Sequence, residues 1–312
     1  MKIVVHIESE TEQWRKALSE AFPEANVITS EAPEKARQNA DYLAAWKPPE
    51  HLLREQTQLK AIINLGAGVD HLLRSPGRPQ DVPIVKLRDA GMGELMADYV
   101  LYGVLHFYRS FDRYANQQAQ AHWRPHPVME KSRWPVGILG LGAIGSHVAE
   151  TLSEAGFPVL GWSRSPKQID GVSCHHGDDG LVTVLSQAQT LVTLLPDTAE
   201  TRGIINEKRL AQLPEGASVI NPGRGTLIDE SALLAALGNH DSLGHLRGAI
   251  LDVFAEEPLP QEAPLWQHPK VIITPHMSAP TPLHAAIDQV IAYLRAFEAG
   301  DPVTTINPSD GY

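Results

Sequence analysis

The run Trp134-Pro-Val-Gly-Ile-Leu-Gly140-Leu-Gly142-Ala-Ile-Gly145 contains a G-x-G-x-x-G well inside the chain. The apolar residues Val136 to Leu139 before it read as a buried strand, and the amphipathic stretch 143–155 after it reads as a helix. Three glycines in a strand–turn–helix context predict a dinucleotide site. Gly140 serves the tight turn, Gly142 lets the backbone approach a pyrophosphate, and Gly145 lets the helix pack closely on its strand. The amides of Ala143, Ile144 and Gly145 at the helix start supply free N–H groups and the positive end of the helix dipole to the phosphates. The next strand, 157–162, ends in Ser163-Arg164-Ser165, about where an NAD-binding chain places an acidic residue for the ribose 2′-hydroxyl. An arginine between two hydroxyls suits a 2′-phosphate instead. NADPH is therefore the expected cofactor, with NADH weaker, and Lys167 is the next cationic candidate. The plain alternative is a strand ending in surface polar residues.

At 312 residues the chain is long enough for two domains, and 43% hydrophobic with 20% charged residues describes an ordinary globular protein. The formal net charge of −11 disfavours nucleic acid as a partner, so an anionic cofactor has to be held by local positive groups such as Arg164. No segment reaches a membrane-spanning apolar length, and the short apolar run before Glu8 is too small for a signal sequence. Cys174 is the single cysteine and can form no intrachain disulfide. These features predict a cytoplasmic enzyme with no membrane partner.

Strands are expected at 3–7, 25–28, 42–46 and 61–65, with a helix over 12–21 between the first two. That alternation predicts a parallel α/β unit upstream of the glycine turn. The segment 93–120 carries Leu95, Val100, Val104, Phe107 and Phe111 at helical spacing and reads as one long helix joining two domains. Further strands at 190–195, 217–221, 248–253 and 271–274 extend the second sheet, and a helix over 281–298 returns to the first domain. The expected fold is α/β, with two Rossmann-like domains built on parallel sheets. An NAD(P)-binding domain, 101–276, is inserted into a flavodoxin-like substrate domain made of 1–100 and 277–312.

Three segments downstream of the cofactor turn hold charged groups at strand ends, where open α/β sheets bind their ligands. They are Asn221-Pro-Gly-Arg224-Gly225, Leu251-Asp252-Val-Phe-Ala-Glu256-Glu257-Pro258 and Thr274-Pro275-His276. A guanidinium can bind and polarise the oxygens of a 2-keto acid with its planar fork. An imidazole can protonate the carbonyl as it becomes an alkoxide, and a carboxylate can orient that imidazole. Taken singly, each has a bland reading: a structural His after proline, a turn charge between glycines, a solvated Glu-Glu-Pro loop. Together, behind a dinucleotide turn, they suit hydride transfer.

The chain resembles the D-isomer-specific 2-hydroxyacid dehydrogenase family, and within it the group of glyoxylate/hydroxypyruvate reductases. The likeness runs through Leu65-Gly-Ala-Gly-Val-Asp-His71, the glycine turn, Leu195-Pro-Asp-Thr-Ala-Glu-Thr201, Asn221-Pro-Gly-Arg-Gly225, Leu251-Asp-Val-Phe-Ala-Glu-Glu-Pro-Leu-Pro260 and Thr274-Pro-His276, in that order. It implies Arg224 as the substrate-binding catalytic arginine, His276 as the acid/base and Glu257 as its carboxylate partner, with Glu256 facing solvent. It further implies that the Ala67 and Gly68 amides hold the substrate carboxylate, that Asp252 lies near the nicotinamide carboxamide and that Leu195-Pro196 runs along the cofactor. Trp46 resembles an aromatic that narrows the pocket, or is a core tryptophan. A small 2-keto acid as substrate and a homodimer, through the nucleotide domains and the region 122–127, are implied as well. Two positions depart from the family pattern: Ser278 stands where many members have glycine, and Leu194 where many have histidine.

Other readings stay open: a phosphoglycerate- or phosphite-type dehydrogenase, against whose first form Ser163-Arg164-Ser165 speaks, and a non-catalytic NAD(P)-sensing protein of the corepressor kind. Cys174-His175-His176-Gly-Asp178-Asp179 contains metal-ligand types, but crowded along one short loop, whereas structural zinc sites draw on spaced pairs. No metal is expected there, and His122 and His126 read as loop residues.

Overall fold

Ile3, Val4 and Val5 are fully buried, the continuous apolar run that a parallel strand covered on both faces requires. They form β1 (Lys2–His6) of a unit made of Met1–Met92 and Thr281–Tyr312, while Gly93–Pro280 forms a second unit. The computed structural model describes residues 1–238, 244–308 and 311.

The first unit continues with α1 (Thr11–Ala21), β2 (Asn26–Thr29), α2 (Glu34–Arg37), β3 (Tyr42–Ala45), α3 (Glu50–Arg54), β4 (Ala61–Asn64), α4 (Asp70–Arg74) and β5 (Ile84–Lys86). Its sheet is parallel, in the order β2-β1-β3-β4-β5, the flavodoxin-like arrangement. β5 follows a proline-rich stretch and is too short to leave a period in the sequence. The helix over Leu283–Ala299 packs on α1 and β4 of this unit with Ala286, Val290 and Leu294 buried, a stripe at four-residue spacing. Its Glu298 accepts from the Tyr42 hydroxyl and the Lys60 ammonium, both at 2.7 Å.

The second unit runs α5 (Met92–Tyr108), α6 (Phe111–Ala119), β6 (Val136–Leu139), α7 (Ala143–Glu154), β7 (Val159–Ser163), β8 (Val172–His176), α8 (Gly177–Gln187), β9 (Thr190–Thr193), α9 (Glu207–Leu210), β10 (Ser218–Asn221), α10 (Glu230–Leu237), β11 (Gly248–Leu251) and β12 (Val271–Ile273). Among the described residues its strands pair in parallel, in the order β12-β11-β10-β9-β6-β7-β8. The strand order reverses between β6 and β9, which puts the turn after β6 at the crevice where such sheets take dinucleotides.

Two expectations need correction. The single helix over 93–120 is two helices of the second unit, broken at Ser110, whose φ is 61°. No proline or glycine marks the break. It is held by Arg247, which donates to both oxygens of Asp112 at 2.7 and 2.6 Å and to the Ser110 hydroxyl at 3.2 Å. The stretch 174–179 is not a loop: Cys174 to His176 belong to the edge strand β8, and α8 begins at Gly177.

Candidate active site

The three glycines after β6 differ in what surrounds them. Gly140 has φ 108°, and a Cβ there would lie 2.7 Å from the Leu194 carbonyl oxygen. At Gly145 it would overlap the Gly140 carbonyl oxygen, at 1.9 Å. At Gly142 it would meet nothing within 4 Å. Two glycines are thus closed by backbone, and the middle one opens onto free space. Gly142 also stands as N-cap of α7 with no side chain capping the helix. Open space against an uncapped helix start fits a dinucleotide pyrophosphate.

At the end of β7, Ser163 is buried and its hydroxyl donates to the Ser165 carbonyl at 2.8 Å, closing a small turn. Arg164, Ser165 and Lys167 are exposed on that turn. The positive charge of Arg164 reaches Glu200, whose carboxyl lies below its usual range, chiefly through the Thr198 hydroxyl and secondarily through its own amide and Arg164. Leu195 is buried, and Thr201 ties the same loop by donating to the Pro196 carbonyl at 2.5 Å.

Arg224 follows β10 in a turn with no room for side chains beside it. A Cβ on Gly223 would sit 2.6 Å from the Thr193 carbonyl oxygen, and one on Gly225 would sit 1.8 Å from the carbonyl carbon of Phe254. Asn221 fixes the turn from within: its amide donates to the Arg224 carbonyl at 3.0 Å, and its oxygen accepts from Thr193 Oγ1 at 2.7 Å and from the Gly223 N–H at 3.2 Å. The guanidinium, half-buried, gives one N–H to the Gly223 carbonyl at 2.8 Å. The glycines around Arg224 are therefore packing requirements that hold the arginine at the sheet's edge.

His276 and Glu257 meet directly, His276 Nδ1 lying 2.7 Å from Glu257 Oε2, with the two side chains 34% and 28% exposed. The other carboxylate oxygen accepts the Phe254 N–H at 3.2 Å. An ionised carboxylate only accepts, so Nδ1 carries the proton of this bond and Nε2 is the nitrogen turned away from it. Glu256 is exposed. Asp252, fully buried at the end of β11, takes the His276 N–H on its backbone carbonyl at 2.8 Å, and its side chain accepts from Thr274 Oγ1 at 2.6 Å and from the Met277 and Ser278 amides, each at 2.9 Å.

Trp46, Ala67 and Gly68 belong to the first unit. Asn64, at the end of β4, donates to the carbonyls of Gly66 and Gly68 at 2.8 and 2.9 Å. Turning the Gly66 carbonyl inward turns the Ala67 N–H of the same trans peptide plane outward. Trp46 lies against this loop: a Cβ on Gly66 would be 2.2 Å from its ring, and the His71 ring meets it edge-on at 4.7 Å.

The structure brings His276 and Glu257 into contact and gathers the glycine turn, the turn after β7, Arg224 and Asp252 at one end of one sheet. Asn64, Asn221, Thr274 and Tyr99, whose hydroxyl lies 2.7 Å from that of Thr274, were not visible as site residues in the sequence. The only local sign of the two asparagines is a polar residue closing an apolar strand. Among the described residues, no group of three or more His, Cys, Asp or Glu is placed to hold a metal ion, and no helix is long and apolar enough to cross a membrane.

A dinucleotide turn at the strand-order reversal and a carboxylate-bound histidine on the same sheet edge define a nicotinamide-dependent dehydrogenase. Residues 101–278 match the D-isomer specific 2-hydroxyacid dehydrogenase, NAD binding domain. The chain belongs to that dehydrogenase family. It is 42% identical over 316 residues to a glyoxylate/hydroxypyruvate reductase A of Yersinia enterocolitica, with 99% of each chain covered. Among solved structures it is similar to a D-isomer specific 2-hydroxyacid dehydrogenase from Xanthobacter autotrophicus Py2 in complex with NADPH and MES, at a TM-score of 0.91 and 38% identity, with 99% of each chain covered. An NADPH-dependent glyoxylate/hydroxypyruvate reductase from Sinorhizobium meliloti in complex with NADP and sulfate gives 0.91 and 35%, covering 100% of this chain and 99% of that one.

Proposed function

We propose that this chain reduces glyoxylate to glycolate and hydroxypyruvate to D-glycerate with NADPH, as a cytoplasmic homodimer. The bond between His276 Nδ1 and Glu257 Oε2 at 2.7 Å carries the reading, because it sets an imidazole ready to give up a proton from Nε2. The names and bound cofactors of the similar proteins support the substrates and NADPH.

When bound, the reduced nicotinamide supplies the hydride. The residues that would hold it are Gly142 with the Ala143, Ile144 and Gly145 amides at the pyrophosphate, and Ser163, Arg164, Ser165 and Lys167 at the 2′-phosphate. Leu195, Pro196 and Asp252 would lie along the rest. The Ala67 and Gly68 amides take the substrate carboxylate, Trp46 limits the size of the 2-substituent, and Arg224 polarises the keto oxygen with its fork of donors. His276 then protonates that oxygen from Nε2, and Glu257 stabilises the imidazolium before and the correct tautomer after the transfer. A steady-state assay of NADPH oxidation with glyoxylate and with hydroxypyruvate tests this. No oxidation with either would overturn it.

The homodimer is supported by α6 and the arm that follows it. Trp123 is 98% exposed, Val128 67% and Phe111 55%, and Tyr114, Gln117, His122 and Trp123 help line a concavity of about 640 Å³. So much apolar surface on one segment asks for a partner, and a second copy of this chain is the partner that the family resemblance implies. The one-cysteine sequence suits a reducing compartment. Sedimentation of the wild type and of Trp123→Ser checks the assembly: a dimer that dissociates in the variant is expected, and a monomeric wild type would overturn it.

A further inference from the structure

The Thr274 hydroxyl lies 2.6 Å from Asp252 Oδ1 and 2.7 Å from the Tyr99 hydroxyl. A carboxylate only accepts, so Thr274 gives it its single proton and must accept from Tyr99. The hydrogen bonds therefore run in one direction, from Tyr99 on α5 through Thr274 at the end of β12 to Asp252 at the end of β11. Burial, the chief cause, pushes the Tyr99 phenol up to about 12, so it stays a donor across the neutral range. At the far end of the chain, Asp252 holds three consecutive amides: its carbonyl takes that of His276 at 2.8 Å, and its carboxylate takes those of Met277 and Ser278 at 2.9 Å each. His276 itself has φ 51°, a left-handed conformation that a residue other than glycine keeps only when its surroundings impose it. Ser278, the position at which this chain departs from glycine, is buried and takes part through its amide.

We propose that Tyr99 and Thr274 are positioning residues for the reaction: they fix the Asp252 carboxylate, which fixes the 276–278 loop, which aims the His276 imidazole at the substrate oxygen. The proposal rests on His276 being the acid of the proposed reaction. Neither hydroxyl touches substrate; both act through a buried charge. Without the Thr274 proton, the carboxylate keeps only the Met277 amide on Oδ1 and the Ser278 amide on Oδ2, so carboxylate and loop can shift together once the tie to Thr274 and Tyr99 is gone. Misplacement of a proton donor by a fraction of an ångström is enough to slow transfer strongly, while substrate binding elsewhere is untouched.

The test uses the full chain as wild type, Tyr99→Phe, Thr274→Val, Thr274→Ser and His276→Ala, with saturating NADPH and varied glyoxylate. Amide exchange at Met277 and Ser278 is measured on the same proteins without cofactor. Thr274→Val is expected to lower kcat by roughly ten- to a hundredfold and Tyr99→Phe by less, with KM for glyoxylate within about twofold. Thr274→Ser, which keeps the proton, is expected to recover most of the rate. Exchange at Met277 and Ser278 is expected to quicken in Thr274→Val and not in Thr274→Ser. Wild-type kcat in both Thr274→Val and Tyr99→Phe overturns the proposal, as does a Thr274→Ser variant no better than Thr274→Val. If Thr274→Val does not fold, Tyr99→Phe and Thr274→Ser decide alone. Failure of the underlying reading has a different signature: His276→Ala would then keep the wild-type rate, whatever the amides at Met277 and Ser278 do.

Discussion

His276 and Glu257 share a 2.7 Å hydrogen bond whose carboxylate is itself anchored by the Phe254 N–H at 3.2 Å. The pair is thus held from the backbone of the segment that follows β11, and the imidazole is steered by a group that does not move independently. His276→Ala is expected to lower kcat by roughly 10²–10⁴-fold, the usual weight of a general acid, with NADPH binding by fluorescence nearly unchanged. Glu257→Gln keeps the shape but removes the charge, and about tenfold or more in kcat should go with it. Equal loss of NADPH affinity in His276→Ala would count against its role as the acid.

Arg164 stands exposed on the turn after β7, within reach of Glu200 and at the position where the proposed cofactor's 2′-phosphate would lie. Arg164→Ala should raise KM for NADPH by about tenfold or more, since a charge-assisted contact is worth about 1.5–3 kcal/mol, and leave KM for NADH little changed. An unaltered preference for NADPH would move the 2′-phosphate contact to Lys167.

The glycine turn separates packing from binding. Gly145→Ala drives a Cβ into the Gly140 carbonyl, so the protein should lose about 1–3 kcal/mol of stability and several degrees of Tm. Gly142→Ala points into open space and should leave Tm unchanged while weakening NADPH. Melting curves with and without cofactor distinguish them. A Gly142→Ala protein with wild-type cofactor affinity would place the pyrophosphate elsewhere.

In the first unit, Arg37 donates to both oxygens of Glu55, at 2.7 and 2.8 Å, with the two side chains 16% and 12% exposed. This hydrogen-bonded guanidinium holds the Glu55 carboxyl below its ordinary 4.5. A carboxyl lowered in the folded state stabilises the fold above its unfolded value and ceases to do so as pH falls through the folded one. Wild type should therefore exceed Glu55→Gln by about 1–3 kcal/mol near neutrality, with the gap closing below about pH 4.5. Denaturant titrations at a series of pH values read this directly, and a gap that widens in acid would refute it.

The strand 136–139 and the helix from Ala143 stand where the sequence puts them because an apolar run and a glycine turn are local signals. Arg224, Glu257 and His276 could be picked out as candidates for a related reason: each sits beside glycine or proline in a segment that follows a strand. What stayed hidden depends on partners far away in the chain. Ser110 breaks a helix because Arg247 pulls on it and its neighbour, and no spacing around Ser110 announces that. Tyr99 looks like one more apolar position of α5 until Thr274 arrives against its hydroxyl. β8 carries the mixed burial of a strand paired on one side only, so its period is blurred. Asn64 and Asn221 face inward on backbone that no pattern of neighbours reveals.

The helix Leu283–Ala299 completes the first unit by burying Ala286, Val290 and Leu294 against elements encoded almost at the other end of the chain. During synthesis, the opening strands leave the ribosome long before this helix exists, and the whole of Gly93–Pro280 is made in between. The inserted unit has all its strands in hand first, so it is the one that can mature first, while the opening strands wait with an apolar flank uncovered. A nascent chain stopped after Pro280 should accordingly bind an apolar dye and resist proteolysis only over 93–280. Aggregation through the uncovered strands is expected in that interval, and the helix Leu283–Ala299 closes it.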